Sequence, residues 1–269
     1  MKKFSIFAIA IAAAVFAACG GNKSAKSEAE TDSLKSFEQQ QIEASIKMHL
    51  DSIGAEIGKL EQPKFLNEGE DGITLTKEEK QVKPDYLFAP TVADNATTLP
   101  EKYRAMSALA IDKKVAKLYE MPTEDYDKAI SKLAADINDP SFKILDKEDN
   151  ASVSETTQQL YDEMENNGRV NYFWQLAAAS LVEQLYLANQ NSDKYLSTFT
   201  DEAAANTTFR IVLILDALKR LSQYDPEIAP VAEALAPLEV LNATTVSELK
   251  SQITEAKDKI NAAREALVK

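Results

Sequence analysis

The side chains available for chemistry in this chain are few. Cys19 is the only cysteine and His49 the only histidine among 269 residues. A thiolate nucleophile needs a base beside it, and a zinc site needs several nitrogen or sulfur ligands. One of each supplies neither. His49 stands next to Leu50 at the edge of an apolar stripe, where a boundary histidine belongs. Carboxylates are plentiful, with 43 acidic residues against 30 basic. Asp146, Glu148 and Asp149 cluster beside Asn150 in one expected loop, and Glu68, Glu70 and Asp71 in another. Calcium needs about six to eight oxygen ligands, and neither cluster has the spacing of an EF-hand loop. Such clusters arise by chance in a chain this acidic. No phosphate-cradling glycine loop and no Gly-x-Ser-x-Gly elbow occurs. The reading is therefore of a protein that is not an enzyme, with no catalytic residue, metal or cofactor assigned. Tyr172-Phe173-Trp174 is the one run that could line a ligand pocket. Consecutive helical positions point in different directions, so most of the three must meet other helices.

The neighbours of Cys19 give it a different role. Lys2 and Lys3 precede an apolar run from Phe4 to Phe16, and Ala17-Ala18 then leads into the cysteine. The run is shorter than the ~20 residues a membrane span needs, and it resembles a secretory signal. With the cysteine in place it resembles the bacterial lipobox, Leu-(Ala/Ser)-(Gly/Ala)-Cys, departing from it at Phe16. The resemblance implies cleavage before Cys19, a diacylglyceryl thioether on its sulfur and a fatty acyl group, such as palmitate, on its amine. Each buried CH₂ contributes about 0.8 kcal/mol, so two or three chains anchor stably where one does not. The organisation expected is a lipoprotein signal peptide over 1–18, a flexible tether over 19–33 and a helical domain over 34–269. With a single cysteine, no intramolecular disulfide can form.

The formal net charge is −13. That balance argues against nucleic acid, whose binding rests on phosphate neutralisation, and against an anionic membrane surface beyond the lipid itself. Only 7 glycines occur, and the richness in Ala, Leu, Glu and Lys favours helix.

Periodicity then fills in an all-α fold, a multi-helix array or bundle of about eight helices. Ile42, Ile46, Leu50, Ile53, Ile57 and Leu60 step by threes and fours along one face. Gly54 and Gly58 in that helix either admit a close neighbour or weaken a turn. Residues 63–100 read as irregular, with Ile73-Thr74-Leu75 as a brief strand and Pro84, Pro90 and Pro100 as punctuation. Pro100 fits the first turn of a helix running to about Tyr119. Tyr126, Ile130, Leu133 and Ile137 form the stripe of the next, and Asp139-Pro140 reads as the start of another. A helix from about Ser152 stops at Asn167-Gly168. Residues 169–190 are the most apolar, yet Glu183 and Gln184 mark a buried helix and not a membrane span. Phe209–Leu221 reads as a second buried helix. Thr245 and Glu248 make a capping box for one last helix with a stripe from Val246 to Leu267.

The stretch Lys102-Tyr103-Arg104-Ala105-Met106-Ser107-Ala108-Leu109, with the later Leu185-Tyr186-Leu187-Ala188, resembles uncharacterised helical lipoproteins of the Bacteroidota. The resemblance implies a helical fold and carries no catalytic residue. In that phylum an acidic run after the lipidated cysteine resembles a surface-export signal. Gly20-Gly21-Asn22-Lys23-Ser24 lacks one, which implies an outer-membrane anchor facing the periplasm of the bacterial cell envelope. Asp32-Ser33-Leu34 and Asp51-Ser52-Ile53 resemble the acceptor of the phylum's O-glycosylation. This makes Ser33, in the tether, the better candidate and Ser52 the second.

The function expected is that of a membrane-anchored lipoprotein with a structural or protein-interaction role. Its partners are the membrane, through the lipid on Cys19, and other proteins. The alternative is a binding module for a small apolar or glycan ligand held between helices. Tyr172, Phe173, Trp174 and the 63–100 segment would then line the site. An enzyme working through carboxylates alone would need two of them converging in a cleft.

Overall fold

The computed structural model describes residues 44–60, 72–144 and 153–268. Cys19, Ser33 and both acidic loop clusters lie outside them. The compact unit begins at Ile46. Among the described residues every regular element is helical. Eight helices have ten residues or more: α1 (44–59), α4 (Leu99–Leu118), α5 (Glu124–Ile137), α6 (Val153–Asn166), α7 (Val170–Gln190), α9 (Asp201–Leu221), α11 (Val246–Glu255) and α12 (Lys257–Leu267). Four shorter ones join them: α2 (Lys77–Gln81), α3 (Val92–Asn95), α8 (Ser192–Tyr195) and α10 (Ala229–Leu235).

The centre is the pair α4 and α7. Helices α5 and α12 pack against α4, and α6, α9 and α12 pack against α7. Helix α4 starts where Thr98 and Glu101 cap each other reciprocally, with Pro100 in the first turn. Its buried positions, Ala105, Ala108, Leu109, Asp112, Val115 and Ala116, keep helical spacing. Helix α7 is buried on nearly every side through its middle, from Phe173 to Ala188. No helix of the described residues is long and apolar enough to cross a membrane.

The two glycines of α1 admit a neighbour. A Cβ on Gly54 would lie 2.9 Å from the ring of Tyr161 on α6, and one on Gly58 would lie 2.6 Å from Oε1 of Gln158. Gly168 ends α6 with φ +68°, the left-handed turn expected after Asn167.

Four expectations are corrected. Ile73-Thr74-Leu75 forms no strand. Ile73 and Leu75 turn inward while the Thr74 carbonyl accepts from Lys194 Nζ at 3.2 Å, and Thr76 caps α2 at once. Asp139-Pro140 starts a single 3₁₀ turn, Pro140–Ile144, because Asp139 Oδ1 bonds the Ser141 amide at 2.9 Å. The helix around Ile211–Leu215 begins at Asp201 and is half solvated, with Phe209 44% and Val212 51% exposed. The last helix is two, α11 and α12, meeting at Ala256. One stripe runs through both, but its first half meets α7 and α9 and its second half α7, α10 and α4. The Thr245 hydroxyl accepts from the Glu248 amide at 3.2 Å, whereas the Glu248 carboxylate reaches back to the Thr244 amide at 2.8 Å.

Candidate functional site

Two arrangements stand out, a cavity and a buried charged cluster. The cavity measures about 340 Å³ and opens between α4, α7 and α9, with α1, α5 and α6 at its sides. Helical spacing brings one face of each helix to it. From α4 come Ser107, Ala110, Ile111 and Lys114. From α7 come Phe173, Leu176, Ala177, Ser180, Leu181 and Gln184. From α9 come Thr207, Arg210 and Ile214. The void exists because small side chains meet here. Ala110 and Ala177 stand where larger residues would have filled the gap, and close packing elsewhere in the core does not collapse onto them.

The wall is mostly apolar, and its neutral polar groups are largely committed. Ser107 Oγ donates to the Leu176 carbonyl at 3.0 Å and Thr207 Oγ1 to the Ala203 carbonyl at 2.8 Å. Gln184 Nε2 donates to Ser180 Oγ at 2.9 Å. Arg210 is buried, and its Nη2 donates to the Leu60 carbonyl at 3.2 Å. Lys114 is exposed at the rim. A second hollow of about 380 Å³ between α10 and α12 is bordered by Glu233, Asp258, Lys259 and small residues. Its wall comes from α10, α12 and Pro237, against six helices for the first.

Of the three aromatic candidates, Phe173 borders the cavity. Trp174 is fully buried in an edge-on cluster with Tyr161 and Phe173, and Tyr172 stacks on Tyr103 at 4.7 Å. Consecutive positions on α7 face apart, so one of three reaches the site. Residues 72–100 do not line it either; Phe88 and the Tyr86 carbonyl meet Arg264 instead. His49 is half exposed, with Nε2 2.7 Å from Asp216 Oδ2 on α9. Ser52 is exposed on α1.

The charged cluster was not legible as a unit. Asp112 of α4 and Glu183 of α7 are both buried, and Arg264 of α12 reaches between them. Arg264 Nε and Nη2 each lie 2.8 Å from a Glu183 carboxylate oxygen. Its guanidinium is sandwiched by the rings of Phe88, 3.5 Å away, and Tyr186, 3.7 Å away. Asp112 Oδ2 accepts from the Phe88 amide at 2.7 Å and lies 3.8 Å from Arg264 Nη2. Burial, then the Glu183 carboxylate, pushes Asp112 well above the usual carboxylate range. Burial also raises Glu183, with Arg264 pulling against it. One arginine cannot neutralise two desolvated carboxylates, so Asp112 holds its proton and Glu183 takes the ion pair. Burial pushes the Tyr126 hydroxyl, which donates to the Phe88 carbonyl at 2.8 Å, up to about 12.

Two carboxylates with perturbed ionisation therefore do converge, but they line neither hollow. The arrangement locks α4, α7, α12 and the 82–91 segment together. The signal for it was present: Asp112, Glu183 and Arg264 each occupy an inward position of an apolar stripe. Among the described residues no group of three or more His, Cys, Asp or Glu is placed to hold a metal ion. Comparison with protein-family models, with curated proteins and with solved structures finds no match to this chain.

Proposed function

We propose that this chain is a binding module that holds a small, largely apolar ligand between its helices. The observation that carries this is the cavity between α4, α7 and α9, bounded by converging apolar side chains from six helices. Its volume falls within the range of about 300–1,000 Å³ common to ligand sites. A larger share of the wall is aliphatic than polar, so a flat, hydroxyl-rich glycan fits it less well than a hydrocarbon body does. The sequence alone supports the location: the lipobox-like segment would tether the module through Cys19 to the bacterial outer membrane, facing the periplasm. A ligand released from lipid or cell-wall turnover would be at hand there.

The test is thermal. Small apolar compounds added to the full-length chain should raise its melting temperature in a concentration-dependent way. Ala177→Leu, which fills the void, should abolish that response while leaving the fold intact. A response unchanged in Ala177→Leu would place the ligand elsewhere and end the reading.

A second reading, a protein-interaction role, is favoured by one observation. Phe209 and Val212 present an apolar strip on the outer face of α9. Crosslinking in native envelopes should capture a partner through a photoreactive group at Val212, and Phe209→Ser in the same chain should reduce the yield.

A further inference from the structure

We infer, resting on the reading of the cavity as a ligand site, that its ligand is a neutral alcohol: a medium-sized hydrocarbon body with one hydroxyl, seated on Ser180 and Gln184 of α7. These two residues line the cavity one helical turn apart, and both are half-buried. The other polar side chains of the wall are spent on the chain itself. Ser107 and Thr207 donate to backbone carbonyls, and Lys114, Thr157 and Arg210 are engaged by other groups of the protein. Ile57, Ile111, Leu181 and Ile214 offer only hydrocarbon.

Ser180 and Gln184 keep hydrogen-bonding capacity that the fold does not use. A serine inside a helix can turn its proton back to the carbonyl four residues earlier. For Ser180 that carbonyl is Leu176, which takes the Ser180 amide in the helix ladder and the Ser107 hydroxyl at 3.0 Å. Its two lone pairs are then filled. Ser180 Oγ accepts from Gln184 Nε2 at 2.9 Å, and among the described residues no acceptor takes its proton. Gln184 Oε1 likewise has no donor among the described residues. One donor and one acceptor therefore stand together on the wall. A hydroxyl is the smallest neutral group that matches both. Seated here it closes a ring of three hydrogen bonds, from Gln184 Nε2 to Ser180 Oγ, from Ser180 Oγ to the ligand oxygen, and from the ligand hydroxyl to Gln184 Oε1. An ether or a carbonyl can only accept, which would leave Gln184 Oε1 against hydrocarbon at a cost. Size sets the body. A cavity of about 150 Å³ accepts benzene, so this one of about 340 Å³ has room for about ten carbon atoms.

The experiment is calorimetric titration of the full-length chain with 1-octanol and with 1-methoxyoctane, which keeps the oxygen but cannot donate, each below its solubility limit. Octanol should bind the tighter of the two. The ratio of alcohol to ether affinity should fall about threefold to tenfold in Gln184→Leu, the equivalent of one neutral hydrogen bond. Ser180→Ala should weaken alcohol and ether alike, since both accept from the serine. Alanine and leucine favour helix at least as well as the residues they replace, so neither variant threatens α7. Equal or weaker binding of the alcohol in the unmodified chain would overturn the hydroxyl while leaving the apolar cavity reading in place. An unchanged ratio in Gln184→Leu, or full affinity for both ligands in Ser180→Ala, would overturn this pair as the seat. Binding of neither ligand would overturn the cavity reading as well.

Discussion

Arg264 on α12 forks onto Glu183 on α7 with two contacts of 2.8 Å, from Nε and from Nη2. It does so at a site where both side chains are nearly sealed from water and two aromatic rings cover the guanidinium. Breaking a buried pair by removing one partner costs about 3–5 kcal/mol, because the other charge is left uncompensated. Glu183→Gln and Arg264→Met should each lower the urea-derived unfolding free energy by about that amount. The double variant Glu183→Gln, Arg264→Met should recover a large part of the loss. Additive losses in the double variant would show that the two act separately.

Asp112 should behave in the opposite way. It is held neutral by burial and by Glu183, so Asp112→Asn removes no charge, and the amide oxygen can still accept from the Phe88 amide. Its cost near neutral pH should stay within about 1 kcal/mol. A loss as large as that of Glu183→Gln would mean that Asp112 is ionised.

The same group sets a pH dependence. Its folded pKa lies above the unfolded value of about 3.9. The stability it contributes is complete below the unfolded value and is lost as pH rises toward the folded one. Glu101 has the opposite sign: hydrogen bonds from the Thr98 and Thr97 amides hold it down at about 2. Its contribution is present above an unfolded value of about 4.3 and is lost as pH falls toward 2. Urea midpoints from pH about 5 to 8 should therefore fall more steeply with pH in the parent chain than in Asp112→Asn. Identical slopes would remove Asp112 as the titrating group.

The two glycines of α1 separate on substitution. Gly54→Ala drives a methyl group into the Tyr161 ring, and overpacking of this kind costs about 1–3 kcal/mol. Gly58→Ala meets only the end of the Gln158 side chain, which can swing away. The gain in helix propensity of up to about 1 kcal/mol then dominates. Thermal melts should show Gly54→Ala below the parent chain and Gly58→Ala at or above it. Pairing Gly54→Ala with Tyr161→Leu should cost less than the two single losses summed.

Filling the cavity should stabilise the empty protein. Ala110→Leu and Ala177→Leu add hydrocarbon where the wall has space, and changes of that class commonly gain about 0.5–2 kcal/mol. A lower melting temperature in both would mean that the surrounding side chains already close the space.

What the sequence determined by itself was local. The first-turn Pro100 of α4, the stop at Asn167-Gly168 and the stripes of α1, α5, α11 and α12 are local, each stripe being set by residues three or four apart. These fix helix type and inward face before any neighbour arrives. The break at Ala256 was not legible in that way, because the stripe has the same spacing on either side of it and only the neighbours change. The choice between the two roles of Gly54 also needed a second helix, since a missing Cβ has meaning only against the ring that occupies its place. The same holds for both candidate sites. Glu183 and Arg264 stand 81 residues apart in sequence and meet only through the packing of α12 on α7. The cavity belongs to no single helix. It is the space left when the small residues of α4 and α7 face each other and α9 closes the side, so it exists only once all three are in place.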